Sequence, residues 1–290
     1  MVPRLLVLGL ALFSCGTGAV LAAMPAIKVA PERPVPGTAL RITVSGVGAD
    51  ARLWGTALET ELVFLRGADG IWAAFAGVDL ETPAGVYTFR IHGEWDGGAT
   101  LEHAGEITVV AKDYPTEQLK VAAKYVEPPP EVAARIARES AALKELWARA
   151  TPERVYDGAT LRPLAGVPGR NFGRRRIFNG KPRSPHSGAD LAAPVGTEVP
   201  AAARGRVALA RELYFSGNLV VLDHGGGVYT LYAHLSRMNV SEGAMVAAGD
   251  IIGRVGATGR VTGPHLHWGA RIGEARVDPG PLLELLAGDR

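Results

Sequence analysis

Between residues 26 and 110 hydrophobic and polar positions alternate with a period of two. Leu40, Ile42 and Val44 are separated by polar neighbours, and Val86, Thr88 and Arg90 interleave with Tyr87, Phe89 and Ile91. Side chains alternate across a strand, so each run predicts a strand with one buried face. Pro36-Gly37, Ala68-Asp69-Gly70, Pro83-Ala84-Gly85 and Asp96-Gly97-Gly98 divide the runs as turn signals. Short strands with turns about every ten residues predict a small β-sandwich over residues 26–112.

The pattern then changes. Pro128-Pro129-Pro130 ends the strand-rich part, because proline cannot donate to a ladder. Residues 131–149 follow a helical period instead. Val132, Ile136, Leu143, Leu146 and Trp147 fall near one face, and Arg135, Arg138, Glu139 and Lys144 near the other. This predicts a linker, residues 113–160, made of a strand and a helix that packs one domain on the next. Glycine-rich β segments return over residues 161–290. Residues 217–223 and 228–232 read as paired strands around Gly225-Gly226-Gly227. The expected class is mainly β: a sandwich, a connecting helix and a C-terminal antiparallel β domain.

The first 23 residues stand apart. Arg4 gives a positive start, residues 5–13 form an apolar core, and Ala22 and Ala23 offer a cleavage site. This predicts a signal peptide and an exported protein, in the periplasm or cell envelope. The apolar run is short for a membrane span, so no transmembrane segment is expected in the mature chain. Leu12-Phe13-Ser14-Cys15 resembles the lipobox of bacterial lipoproteins, and a lipid anchor at Cys15 is the alternative. Cys15 is the chain's one cysteine, so cysteine ligation and disulfides are excluded from the mature part.

Composition narrows the function classes. The 31 basic and 29 acidic residues nearly cancel, which gives no reason to expect a nucleic-acid partner. Arg170, Arg174, Arg175, Arg176, Lys181 and Arg183 do crowd just ahead of His186. They form either a solvated loop or a seat for an anionic polymer.

The chemistry concentrates in the last third. His265 and His267 are two apart and share a strand face. His186-Ser187-Gly188-Ala189-Asp190 lies upstream, and Tyr232-Ala233-His234-Leu235 lies between. A catalytic zinc wants three nitrogen or carboxylate ligands and an open position for water. These residues suffice for such a centre with others to spare. His224, next to Asp223 at a turn, reads as an ordinary core histidine, and His92 and His103 as ordinary strand residues.

In their order, His186-x3-Asp190, Tyr232-Ala233-His234-Leu235 and His265-x-His267 resemble the lysostaphin-type zinc endopeptidases. Phe172-Gly173-Arg174, Thr258-Gly259 and Gly263-Pro264 match as well. The segment 82–87 is similar to the late-strand entry of bacterial immunoglobulin-like modules. The resemblance implies one Zn2+ per chain held by His186, Asp190 and His267. It implies His265 and His234 as catalytic residues beside the zinc-activated water, one as proton acceptor and both as stabilisers of the oxyanion. It implies peptide cross-links of peptidoglycan stems as substrate. A non-catalytic cell-wall scaffold or regulator with the same fold is the rival, but such relatives lose zinc ligands and this chain keeps all five residues. Two details depart from the family or qualify it. Trp268 is followed by Gly269 where many members have Glu. An asparagine blocks the metal in some latent relatives, but the sequence gives little support for that role in Asn171, just before Phe172-Gly173. Gly188, Gly259 and Gly263 are expected either to open a groove or to serve turns.

Overall fold

The alternating runs of the N-terminal part form eight strands: β1 (Ala26–Ala30), β2 (Ala39–Ser45), β3 (Arg52–Ala57), β4 (Thr60–Val63), β5 (Leu65–Arg66), β6 (Trp72–Gly77), β7 (Gly85–Trp95) and β8 (Ala99–Val109). The protein was analysed as a computed structural model that describes residues 25–95, 98–164 and 171–288. The signal-like segment with Cys15, the turn residues Asp96 and Gly97, and Arg170 lie outside the described residues. Two antiparallel sheets, β1-β2-β6-β5 and β4-β3-β7-β8, face each other. Leu40, Ile42 and Val44 from one and Phe89 and Ile91 from the other meet in a shared core, as the period of two requires. The Tyr87 hydroxyl donates to the Pro83 carbonyl at 2.8 Å, a corner-fixing bond typical of such sandwiches.

Beyond the sandwich, β9 (Thr116–Leu119) precedes the helix α1 (Pro130–Trp147). Pro130 and Glu131 suit the helix start: the first turn needs no proline N–H, and a carboxylate there complements the macrodipole. Leu143, Leu146 and Trp147 pack on Leu209, Leu213, Val221 and Tyr229 of the C-terminal sheet. The polar face differs from the expectation. Arg135 and Glu139 are half-buried against that sheet, since Glu139 accepts from Arg135 Nε at 2.6 Å and from the Tyr214 N–H at 2.8 Å. Long side chains that satisfy one another can occupy a packed face that simple periodicity assigns to solvent.

The C-terminal part contains β10 (Arg175–Phe178), β11 (Lys181–Arg183), β12 (Gly188–Ala192), β13 (Glu198–Pro200), β14 (Gly205–Leu213), β15 (Gly217–Gly225), β16 (Val228–Leu235), β17 (Arg237–Met238), β18 (Met245–Val246), β19 (Ile251–Arg254), β20 (His265–Ile272) and β21 (Ala275–Val277), then helix α2 (Pro279–Gly288). Its main sheet runs β12-β20-β16-β15-β14-β18, with β21 added on β20. The small sheet β11-β10-β9 joins the linker to this part, β9 lying parallel to β10. No helix among the described residues is long and apolar enough to cross a membrane.

The two halves touch directly. Ala39 and Phe75 of the sandwich join the buried cluster of the C-terminal part beside Tyr156. Arg276 on β21 binds Asp79 through Nε and its backbone N–H, at 2.8 and 2.9 Å. A Cβ on Gly77 would stand 2.5 Å from Ala275 Cβ, so glycine is what allows β6 to approach β21 this closely.

Candidate metal centre

Three neighbouring strands bring the site together. Asp190 on β12 sits opposite His267 on β20, and His267 sits opposite Ala233 on β16. Leu266 and Trp268 alternate with the histidines and fill the core, which leaves His265 and His267 on one open face. His186 enters from the loop before β12. Its backbone is clamped by the Phe172-Gly173-Arg174 turn, through His186 N–H to Arg174 O at 2.9 Å and Gly173 N–H to His186 O at 2.8 Å.

His234 reaches this face by a different route. Regular alternation after Ala233 would turn its side chain to the other side of the sheet. Its φ of 64° prevents this. The left-handed conformation is strained for a non-glycine residue, and such strain is often found where function needs a side chain re-aimed. The His234 ring ends 5.0 Å from His265 and 5.8 Å from His267.

The donor atoms form a tight triangle. His186 Nε2 is 3.0 Å from Asp190 Oδ1 and 3.0 Å from His267 Nδ1, and the latter is 2.9 Å from Asp190 Oδ1. Backbone carbonyls fix the tautomers. His186 Nδ1 donates to Asn171 O at 3.0 Å, His234 Nδ1 to Thr258 O at 2.8 Å and His265 Nδ1 to Gly263 O at 2.8 Å. A carbonyl can only accept, so each of these rings carries a proton on Nδ1 and aims Nε2 at the site. His186 Nε2 and Asp190 Oδ1 thus face each other 3.0 Å apart, a gap that a shared cation would bridge. Tetrahedral zinc ligands would stand about 3.3 Å apart, close to this triangle. The donor set fits the ion.

The electrostatics agree. Burial pushes His186 down to about 4, with repulsion from His267 adding to it. Burial and the neighbouring His267 and His265 push His234 down to about 3. Burial opposes ionisation of Asp190, but its contacts with His186 and His267 more than offset this and hold it well below the usual carboxylate range. At neutral pH Asp190 is a carboxylate and His186 an uncharged imidazole, the forms a metal requires.

Asn171 does not occupy the centre. Its Nδ2 donates to Asp190 Oδ2 at 2.9 Å, and its Oδ1 accepts from the Asp190 N–H at 3.1 Å. Both ends of the amide hold the aspartate from outside. The glycines separate too. A Cβ at Gly188 would lie 2.7 Å from His267 Nε2, so this glycine admits the imidazole. Gly259, at φ 73°, serves a turn, and only Gly263 faces open space. His224 is a core residue, bonded to Arg204 O and Thr230 Oγ1 at 2.8 Å each. His92 stacks on Trp54 and His103 lies against Phe89, both in the sandwich.

A cleft of about 160 Å³ opens over the triangle. Leu119 and Val121, from the chain around the end of β9, form part of its wall, as do Phe178, Phe215, Arg176 and Arg260. Sequence reasoning missed Arg260 and Leu119. The sole signal for Arg260 was its place in the Thr258-Gly259-Arg260 turn before Gly263-Pro264, and nothing local marked Leu119.

Residues 184–279 match peptidase family M23. The chain is 50% identical over 109 residues to the DD-carboxypeptidase/endopeptidase Mpg of Neisseria meningitidis serogroup B, covering 36% of this chain and 25% of that protein. It is 46% identical over 99 residues to the peptidoglycan DD-endopeptidase ShyA of Vibrio cholerae, covering 34% and 23%. The chain thus spans about a quarter of the length of these relatives. The crystal structure of a Pseudomonas aeruginosa protein assigned to peptidase M23 superposes with a TM-score of 0.68 at 29% identity, over 89% of this chain and 96% of that one.

Proposed function

We propose that this chain, whose residues 184–279 match peptidase family M23, is a zinc-dependent endopeptidase that hydrolyses peptide cross-links of peptidoglycan. The observation that carries the reading is the triangle of His186, Asp190 and His267 with two further imidazoles turned onto the same cleft. The names of the relatives, a DD-carboxypeptidase/endopeptidase and a peptidoglycan DD-endopeptidase, support a peptidoglycan substrate; the bond we propose joins D-alanine to the diamino acid of a neighbouring stem.

In this reading His186 Nε2, Asp190 Oδ1 and His267 Nδ1 would hold the ion. Zinc, when bound, supplies a Lewis acid for the scissile carbonyl and lowers the pKa of the attacking water. His265, with Nε2 3.5 Å from Asp190 Oδ1, takes the proton of that water and passes it to the leaving amine. His234 faces the same space and orients the water through its Nε2 lone pair. His265, while it holds that proton, donates to the oxyanion of the tetrahedral intermediate. Thr258 O and Gly263 O keep both rings in the required tautomer.

Work on peptidoglycan requires export. We place the mature chain in the periplasm or cell envelope on the strength of residues 1–23. Intact mass of the native protein checks this: a soluble chain begins near Met24, and a lipid-modified Cys15 would refute the soluble form. The reaction itself is tested by digesting purified sacculi and identifying the fragments by mass spectrometry. Stem peptides freed from their cross-links, with glycan intact, are expected. Shortened sugar chains with intact cross-links would overturn the proposal.

A further inference from the structure

The cleft contains two cations that the hydrolytic step does not use. Arg260, in the turn leading to β20, lies between two aromatic rings. Its guanidinium carbon is 4.8 Å from the centre of Phe215 and 5.0 Å from that of Phe178. Stacking of this kind fixes the plane of the guanidinium and leaves its N–H edge free. Among the described residues no carboxylate pairs with Arg260, and its guanidinium donates to no acceptor.

Arg176 stands beside it, 5.7 Å from the same Phe178 ring. Its Nε is buried and makes no hydrogen bond. The acid within 4 Å, Glu117, is 3.5 Å away and is shared with Arg174 at the same distance. Both arginines line the cleft with Asp190, His234, His265 and His267. Burial and repulsion from Arg176 and Arg183 push Arg260 down to about 10, which still leaves it charged at neutral pH. A half-buried cation with no counter-ion costs free energy, and an anionic ligand would offset that cost.

We propose that Arg260, supported by Arg176, is the specificity-determining residue of the cleft and binds a free carboxylate carried by the substrate peptide beside the scissile amide. A guanidinium fork matches a carboxylate in bidentate fashion, and a peptide branch offers such a group at the distance of one residue. The aromatic rings on either side hold the fork in place before substrate arrives, so little ordering is needed on binding. The inference rests on the hydrolase reading given above.

The test uses zinc-loaded enzyme and a pair of synthetic cross-linked stem-peptide dimers. One carries the free carboxylate on the residue beside the scissile amide, and its twin carries a carboxamide there. Wild-type enzyme should cleave the carboxylate dimer with kcat/KM about ten- to a hundredfold higher, the scale of a hydrogen bond to a charged group. Arg260→Gln should collapse that ratio towards one, while Arg260→Lys should restore part of it. Zinc content and melting temperature of each variant show that the fold is intact. Equal cleavage of both dimers by the wild type would overturn this inference alone. A ratio unchanged in a folded Arg260→Gln protein would do the same. Cleavage of neither dimer would remove the substrate reading and this inference with it.

Discussion

Asn171→Ala should weaken zinc binding without touching a ligand. The side chain makes two contacts, both with Asp190: one to Oδ2 at 2.9 Å and one from the backbone N–H at 3.1 Å. The substitution removes both. It spares the Asn171 carbonyl that accepts from His186 Nδ1, because that group is backbone. The bond to the ionised Asp190 is worth roughly 1.5–3 kcal/mol, and water entering the half-open site recovers part of it. About 1.4–2.8 kcal/mol of lost orientation is tenfold to a hundredfold in affinity, the usual range when an outer partner of a ligand is removed. Competition against a chelator of known affinity measures the zinc Kd directly. Turnover at saturating zinc should recover most of its wild-type value. If the Kd is unchanged, Asn171 does not position Asp190 and the argument from its two hydrogen bonds is wrong.

Three further outcomes are expected. His186→Ala and His267→Ala should lose both zinc and activity, whereas His265→Ala and His234→Ala should keep zinc and lose turnover by about a hundredfold or more; metal analysis of each purified variant separates the two classes. Chelation should abolish activity and lower the melting temperature by on the order of 10 °C relative to protein in zinc a thousandfold above its Kd, and an unaltered calorimetric transition would refute the zinc site. The Asp79–Arg276 contact between the halves gives a pH signature. Burial alone would raise Asp79, but its hydrogen bonds with Arg276 outweigh this and lower it. Its stabilisation is therefore complete above the unfolded value of about 4 and is lost as pH falls through the lower folded value. Asp79→Asn should cost about 1–3 kcal/mol at pH 7, and the gap in melting temperature from the wild type should narrow in acid.

Much of the site was legible because strand geometry is so regular. Two histidines two residues apart must share a face, and the apolar residues between and after them must turn inward. The C-terminal hairpin around Gly225-Gly226-Gly227 followed from the same rule. What escaped were features that break the period or close over long distances. His234 faces the cleft because its backbone leaves the strand conformation, and no sequence pattern announces a φ of 64° at a histidine. Arg135 and Glu139 turned inward because they bond to each other and to the sheet. Gly188 looked like room for substrate, but its missing side chain makes room for His267. Arg260 gained its character from Phe178 and Phe215, which lie far from it in the chain.

The parallel pairing of β9 with β10 bears on how such a unit could be transplanted. A cut at residue 161, where the family-like motifs begin, would keep the triangle and both extra imidazoles. It would leave behind Leu119 and Val121, and with them one side of the trough over the metal. The excised piece would then present His186, Asp190 and His267 in a more open setting. The stretch between the sandwich and the helix is therefore a structural part of the cleft, sewn in from upstream, and a graft intended to carry the whole cleft along has to begin before Thr116.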